Sequence, residues 1–365
     1  MTNQNKILKL ARQLNCKVPF FDGRIRRTAC RKLAANKTVQ AVPFLVSALA
    51  NSDEEVRRIV EEGLKSLNTL EAIEALLLGC VFTKADSVRR ILTSLGRDVS
   101  EAAELLANQP SASTLTLSPS KEAWRFRNSR DGTVLAFVPE GDFLAGKDSF
   151  RVHLHQYYLA LACVTNAQYA QFLTKRSPNS TNLVSWINLR QSAAIHKKDH
   201  TYEVDPEKAD LPVVWVTWEG AAAYCKWAHL RLPGELEWEK GARGIDGRLY
   251  PWGDEWEAGR SLPTMGERKP EEIASVWAYP TARSPYGIYQ MIGNIYEWSA
   301  DWYEKDAYQR YAQGDIRPPW HGEHRVLRGG PWRFGVPAHL RTEFRKSTVW
   351  RAGTPLCGFR CAKSL

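Results

Sequence analysis

The distribution of aromatic residues divides this chain into two regions. Residues 1–107 contain neither Trp nor Tyr, whereas all 14 Trp and all 13 Tyr lie in the remaining part. This contrast in composition marks a domain boundary. Domains commonly contain about 150 residues, so a chain of 365 residues also fits two or three domains. We predict a helical domain at 1–107, a linker at 108–121 and an α+β domain at 122–365.

Three related segments lie in the first region at nearly equal intervals. They begin at Ile25, Val56 and Val88, and each starts with an aliphatic residue followed by two arginines. Between them, residues 41–49 and 72–78 have apolar residues at helical spacing. The pattern resembles HEAT-type repeats, in which helical hairpins stack on a shared core. The resemblance implies either docking of a partner protein on one face or a platform for packing or oligomerisation.

The segment from residue 108 to 120 is rich in Ser, Thr and Pro and lacks helical periodicity, which is typical of an extended linker. The chain has no apolar run near the roughly 18 to 20 residues of a membrane span. It begins without the apolar stretch of a secretory signal, so we expect a cytoplasmic protein.

The net charge of +10 favours acidic partners, including nucleic acid. Basic runs with interleaved aromatic residues are missing, so nucleic-acid binding is only weakly supported. The seven cysteines are an odd number without paired spacing, and we expect them to be mostly buried thiols.

Short motifs in the second region follow one another in a recognisable order. They lie at 137–146, 164–172, 212–218, 231–239, 250–254, 293–298, 328–332 and 358–361. Together they resemble the formylglycine-generating enzyme, or sulfatase-modifying factor, family. That resemblance implies an elaborated C-type-lectin-like fold.

The family's catalytic members carry two cysteines after the Arg-Gly-Gly motif, and these bind copper as thiolates. The matching positions here are Phe334 and His339, and side chains without sulfur do not replace the soft ligands of Cu(I). Cys357 and Cys361 lie outside the catalytic positions. We therefore expect no copper and no enzymatic activity. The alternative is a copper-dependent formylglycine-generating oxidase or a related sulfatase-modifying enzyme.

Iron is used by another branch of this superfamily, whose helical domain supplies three histidines. The helical region here has no histidine. His153 and His155 alternate onto one face of an expected strand, but no third ligand is evident on the helical part. We expect ordinary surface or core roles for the histidines.

The resemblance implies one structural calcium site, matched by Gln290, Gly293, Ile295 and Glu297. Side-chain and backbone oxygens of this kind suit a hard cation. The alternative role for Glu297 is a buried carboxylate that accepts hydrogen bonds from nearby backbone amides. At the family's second calcium site an asparagine is replaced by Arg260, so that site is expected to be lost.

The segment at about 332–351 departs most from the family pattern, although flanking scaffold residues are retained. The candidate ligand-binding residues are Trp332, Arg333, Phe334, His339, Glu343, Lys346, Thr348, Trp350 and Arg351. Aromatic and arginine side chains are frequent in interface hot spots. The segment therefore indicates a noncatalytic ligand-recognition protein that binds a protein or peptide.

This arrangement also resembles the variable proteins of diversity-generating retroelements, whose mutated codons end near a Gly-Phe-Arg motif. Ordinary divergence of a noncatalytic paralogue explains the same segment without a retroelement. A third hypothesis is a purely structural scaffold without a specific ligand.

Overall fold

A computed structural model describes residues 3–14, 22–102, 105, 118–257, 260, 273–330 and 337–365. Within these residues, no helix is both long enough and apolar enough to cross a membrane. The helices are numbered α1 to α13 and the strands β1 to β12 in chain order.

The N-terminal region consists of paired helices, as the repeated segments predict. The helices are α1 (Asn3–Leu14), α2 (Asp22–Ala34), α3 (Val42–Ala48), α4 (Glu54–Lys65), α5 (Leu70–Thr83) and α6 (Asp86–Ser94). The three related segments fall on α2, α4 and α6, which pack side by side, while α3 packs against α5. This arrangement confirms stacked helical hairpins with two layers.

One side chain links successive repeats. Asp53 caps α4 by accepting hydrogen bonds from the amides of Glu55 and Val56. The same carboxylate pairs with Arg27 of α2 at 3.0 Å. An N-terminal cap stabilises a helix by about 1 kcal/mol, and here it also fixes the spacing between two repeats.

The second region contains short helices and strands in an irregular order. Its helices are α7 (Pro119–Glu122), α8 (Asn166–Arg176), α9 (Ser180–Trp186), α10 (Leu189–Ser192), α11 (Trp218–Trp227), α12 (Glu235–Arg243) and α13 (Ala307–Ala312). Its strands are β1 (Arg125–Arg127), β2 (Val134–Val138), β3 (Gly141–Ala145), β4 (Phe150–Leu154), β5 (Tyr157–Ala160), β6 (Ile195–Lys198), β7 (Thr201–Val204), β8 (Tyr296–Trp302), β9 (His324–Arg328), β10 (Lys346–Val349), β11 (Cys357–Gly358) and β12 (Ala362–Ser364). The predicted α+β class is confirmed.

Two four-stranded sheets organise this region. The first has the order β1-β2-β5-β12, and the second has the order β10-β9-β8-β11. In the second sheet β10, β9 and β8 are antiparallel, whereas β11 runs parallel to β8. Strand β10 is therefore an edge strand, and it lies within the segment at which the sequence predicts ligand binding.

The helical repeats and the second region share one continuous hydrophobic core. At the junction, the indole of Trp124 donates a hydrogen bond to the carbonyl of Ala75 in α5 at 3.0 Å. The Trp124 ring packs edge-on against Phe82 at 4.8 Å, and Phe44 packs edge-on against Phe137 at 5.2 Å. The two regions therefore meet through aromatic contacts.

The predicted linker is mostly outside the described residues. Its described end does not match an extended linker, because Pro119–Glu122 forms a helical turn. Ser120 is fully buried and donates to Glu74 of α5 at 2.9 Å. Packing on α5 overrides the preference of this Ser- and Pro-rich sequence for an extended conformation.

We expect Trp124→Ala to lower the free energy of unfolding by about 3–5 kcal/mol, because it leaves a cavity in the shared core and removes the hydrogen bond to Ala75. Urea unfolding of the full chain measures the change. Trp320→Ala is the matched control, since Trp320 is 87% exposed and should change stability by less than about 0.5 kcal/mol. Equal effects of the two substitutions would contradict a core role for Trp124.

Candidate recognition surface

A buried carboxylate lies at the centre of the second region. Glu239 of α12 accepts hydrogen bonds from Arg243 and Arg328, both at 2.8 Å. It also accepts from the amide of Gly146 at 2.6 Å and from the hydroxyl of Tyr308 at 2.5 Å. Burial alone would raise the pKa of Glu239, but the charges of Arg328 and Arg243 outweigh burial and hold its pKa below the ordinary value. Glu239 therefore stays ionised and holds the segments that carry Gly146, Arg328 and Tyr308 against helix α12.

The same network anchors the residues that lead into β10. Arg345 binds both oxygens of Glu235 through Nε and Nη2, at 2.6 and 2.9 Å. Arg328 donates to the carbonyls of Thr342 and Glu343 at 2.7 and 3.3 Å. Bidentate and charge-assisted bonds of this kind fix geometry strongly. Strand β10 therefore starts from a fixed position.

A row of side chains crosses β10, β9 and β8. Thr348 pairs in register with Arg325, and Arg325 pairs with Trp302. Directly opposed residues of neighbouring antiparallel strands share a face of the sheet. The Arg325 guanidinium lies 3.3 Å from the ring centroid of Trp302 and 3.8 Å from that of Trp218. Burial between the two indoles lowers the pKa of Arg325 to about 10.

The loop after β10 extends this row. The carbonyl of Trp350 accepts a hydrogen bond from the amide of Trp218 at 3.0 Å. The guanidinium of Arg351 lies 4.3 Å from the Trp350 ring centroid. The indole of Trp218 also donates to the carbonyl of Ser299 at 2.9 Å, which fixes its orientation.

We call the connected group the Trp–Arg surface, and it comprises Trp218, Trp302, Arg325, Thr348, Trp350 and Arg351. Its members are partly buried except Arg351, which is exposed. Such partly buried aromatic and arginine side chains keep a face open to a ligand while their orientations are set by neighbours.

The structure joins three of the sequence-predicted ligand residues, namely Thr348, Trp350 and Arg351. Lys346 is exposed on the same strand, two residues from Thr348. The other described candidates have different surroundings: the ring of His339 packs on Phe344 at 4.5 Å, and the Glu343 side chain is only 11% exposed. Trp332, Arg333 and Phe334 lie outside the described residues.

Sequence reasoning missed Trp218, Trp302 and Arg325. Trp218 lies in one of the motifs that reveal the family, where Trp is expected to serve packing. The signal that identifies them is the strand register, which places Arg325 opposite both Thr348 and Trp302. Register depends on long-range pairing and was not available from local patterns.

The cysteines of the described chain are buried and unpaired. Cys361 approaches Cys225, with 3.6 Å between the sulfurs, rather than Cys357. Burial raises the pKa of Cys357 to about 12 and raises that of Cys361 well above its ordinary value. Since the thiolate is the nucleophile and metal ligand, these residues are poorly placed for copper chemistry.

Glu297, a predicted calcium ligand, is fully buried and already surrounded by donors. Arg360 donates from Nε at 2.5 Å and from Nη2 at 2.7 Å. Trp238 donates at 2.8 Å and Cys163 at 3.3 Å. A carboxylate has about four lone-pair sites, so these four donors fill it. Glu297 is thus a buried carboxylate, as the alternative interpretation held, but side chains rather than backbone amides satisfy it.

The other predicted calcium side chain is also engaged in hydrogen bonds. The Gln290 amide nitrogen donates to the carbonyl of Ala278 at 3.2 Å, and its oxygen accepts from Asn294. Gly293 and Ile295 offer only backbone carbonyls to the proposed site. The side-chain oxygens of Glu297 and Gln290 already accept hydrogen bonds from protein donors, an arrangement that does not fit a calcium ion. Calcium binding itself stays a prediction. Arg260 pairs with Glu257 at 2.5 Å, and the loss of the second calcium site also stays a prediction.

The two sheets, the central helix α12 and the sequence motifs around them define the class of this protein. Residues 121–365 match the sulfatase-modifying factor enzyme 1-like domain, and residues 21–96 match HEAT repeats. The chain belongs to the sulfatase-modifying factor enzyme family, with helical repeats preceding the family domain.

The names of similar proteins state different activities. The serine/threonine-protein kinase pkn1 of Chlamydia caviae is 34% identical over 244 residues, which cover 64% of this chain and 38% of the kinase. The inactive C-alpha-formylglycine-generating enzyme 2 of Mus musculus is 36% identical over 171 residues, which cover 43% of this chain and 51% of that protein. The chain therefore spans about half of these relatives or less.

A solved structure supports the fold. PvdO from Pseudomonas aeruginosa superposes with a TM-score of 0.51 at 21% identity, covering 66% of this chain and 98% of PvdO. At this identity the likeness shows the fold alone.

We expect Glu297→Gln to lower the free energy of unfolding by about 3–5 kcal/mol, because it leaves the buried charge of Arg360 without a counter-ion. Glu304→Gln is the control, since its pair with Arg310 is partly exposed and should contribute less than about 1 kcal/mol. Urea unfolding measures both variants. A melting temperature that rises with added Ca²⁺ in the wild type but not in Glu297→Gln would instead support the calcium site.

Proposed function

We propose that this protein is a noncatalytic recognition protein that binds a protein or peptide through the Trp–Arg surface and the adjoining segment 332–351. The observation that carries the proposal is the Thr348–Arg325–Trp302 row, which Trp218 and Trp350 extend. Arginine and tryptophan are the side chains most enriched among interface residues that dominate binding energy.

The edge of the sheet gives this surface a way to bind an extended peptide. Strand β10 is an edge strand, so one side of its backbone is available for pairing with another strand. Val349 is 46% exposed on this edge, and the charges of Lys346 and Arg351 favour an acidic peptide. The backbone would supply affinity, and the Trp–Arg surface would supply specificity.

The state of the cysteines supports a noncatalytic role. The sequence from 329 to 356 has no cysteine, and Cys357 and Cys361 are buried with raised pKa values. A related mouse protein also carries the word inactive in its name. We infer that binding in this branch of the family does not require the copper chemistry.

A second proposal concerns the origin of the segment 332–351, which a retroelement could have diversified. A nearby reverse transcriptase gene, with a near-copy of the coding segment that differs mainly at adenines, would support it. Ordinary divergence of a noncatalytic paralogue predicts neither feature.

The helical repeats are proposed to dock a second partner. The layer formed by α2, α4 and α6 carries exposed arginines, including Arg24, Arg89 and Arg90. Such a surface favours an acidic protein partner. A role in oligomerisation remains the alternative, and the mass of the chain in solution distinguishes the two.

The Trp–Arg surface is tested by affinity capture with the full chain from an extract of its native cell. We expect a partner to be retained by the wild type and by Trp320→Ala, but lost with Trp350→Ala combined with Arg351→Ala. Trp320→Ala removes an exposed indole outside the surface, so it controls for nonspecific aromatic contacts. Capture that is equal for all three proteins would refute this surface as the binding site.

Absence of oxidase activity is tested separately. With Cu(I), oxygen and a cysteine-containing peptide, we expect no oxygen uptake above the protein-free rate, because the family's two thiol positions are Phe334 and His339. Turnover that disappears in Cys361→Ser would overturn the noncatalytic assignment and support the formylglycine-generating alternative.

A further inference from the structure

Four titratable side chains share one face of the hairpin formed by β3 and β4. The register pairs Gly141 with Leu154 and Asp142 with His153. Continuing that register by one residue places Glu140 opposite His155. Because positions two apart on a strand face the same way, all four side chains point to the same side.

Three of these residues converge on a common point, and we call them the Glu140–His153–His155 cluster. One ligand atom from each lies within 4.8 Å of the other two. Glu140 Oε1 is 3.4 Å from His153 Nε2 and 3.5 Å from His155 Nδ1. These separations are long for N–H···O hydrogen bonds, which are commonly about 2.9–3.0 Å.

The same separations match ligands placed around a tetrahedral zinc ion. With zinc–ligand bonds of about 2.0–2.1 Å, neighbouring ligand atoms lie roughly 3.4 Å apart. His153 and His155 are 46% and 59% exposed, so an ion can enter from solvent and a water molecule can complete its coordination.

A fourth residue orients one of the histidines. Asp142 Oδ1 lies 2.8 Å from His153 Nδ1, which leaves His153 Nε2 facing the cluster. A carboxylate bound to the second nitrogen of a ligating histidine fixes the ring and increases its basicity. Asp142 is therefore a positioning residue, and its other oxygen pairs with Arg151 at 3.3 Å.

The backbone around Glu140 is held from two directions. Lys240 Nζ donates to the carbonyls of Pro139 and Gly141, at 2.8 and 2.9 Å. The amide of Glu140 donates to Ser47 Oγ of the helical repeats at 2.9 Å. The cluster is thus built on fixed backbone beside the junction of the two regions.

We propose that the Glu140–His153–His155 cluster binds a zinc ion, with Asp142 holding His153 in the ligating orientation. Two imidazoles and one carboxylate with an open fourth position are a ligand set that zinc accepts. The site is separate from the Trp–Arg surface, and its ligands are oxygen and nitrogen rather than the thiols of copper sites. Binding would stabilise the folded chain, since the unfolded chain does not hold the three ligands together.

The test uses metal-stripped, tag-free full chain titrated with zinc sulfate against a chromophoric chelator. We expect one zinc ion per chain, a higher melting temperature with zinc, and a loss of affinity of at least about tenfold in His153→Ala and in His155→Ala. Cobalt added in place of zinc should give visible ligand-field bands that both variants lose. His196→Ala is the control, because His196 is an exposed histidine near Asp205 at 3.6 Å.

Asp142→Asn should lower zinc affinity about 10–100-fold while leaving the metal-free melting temperature unchanged, and Asp142→Glu should restore part of the affinity. The absence of stoichiometric binding would overturn the proposal. Equal affinity of the wild type, His153→Ala and His155→Ala would also overturn it, because the ion would then be held elsewhere.

Discussion

The ionised carboxylate of Glu239, buried between Arg243 and Arg328, is the interaction on which the rest of the second region depends. It joins α12 to the ends of β3 and β9 and to the helix that carries Tyr308. Removing charges from water is costly, and a buried ion pair often adds little net stability. Its effect is on geometry, because Arg243, Arg328, Tyr308 and the Gly146 amide must all lie around the one carboxylate. Glu239 therefore holds these segments in one arrangement, although the strands of this region are short and irregularly ordered.

The Trp–Arg surface follows from that fixed arrangement. Arg328 and Arg345 hold the residues before β10, and β10 then places Thr348 beside Arg325. Arg325 is confined between two indoles, so little side-chain freedom remains to be lost on binding. The family's scaffold is retained while the surface it carries has changed.

Local patterns predicted much of the fold. The spacing of apolar residues and repeated arginine pairs indicated stacked helical hairpins, and the ordered motifs indicated the family domain. Thr348, Trp350 and Arg351 were among the predicted ligand residues and lie together. Calcium at Glu297 was predicted from a motif alone. The motif did not show that Arg360, distant in sequence, occupies that carboxylate.

By itself, the sequence determined the helical repeats, the family domain and the α+β class, because composition, periodicity and residue identity are local properties. Only the tertiary structure decided that the two regions share a core through Trp124, that Arg325 completes the Trp–Arg surface and that Glu140 joins His153 and His155. These three features depend on strand register and on contacts between distant segments. Many chain arrangements satisfy the same local pattern, and packing selects one of them.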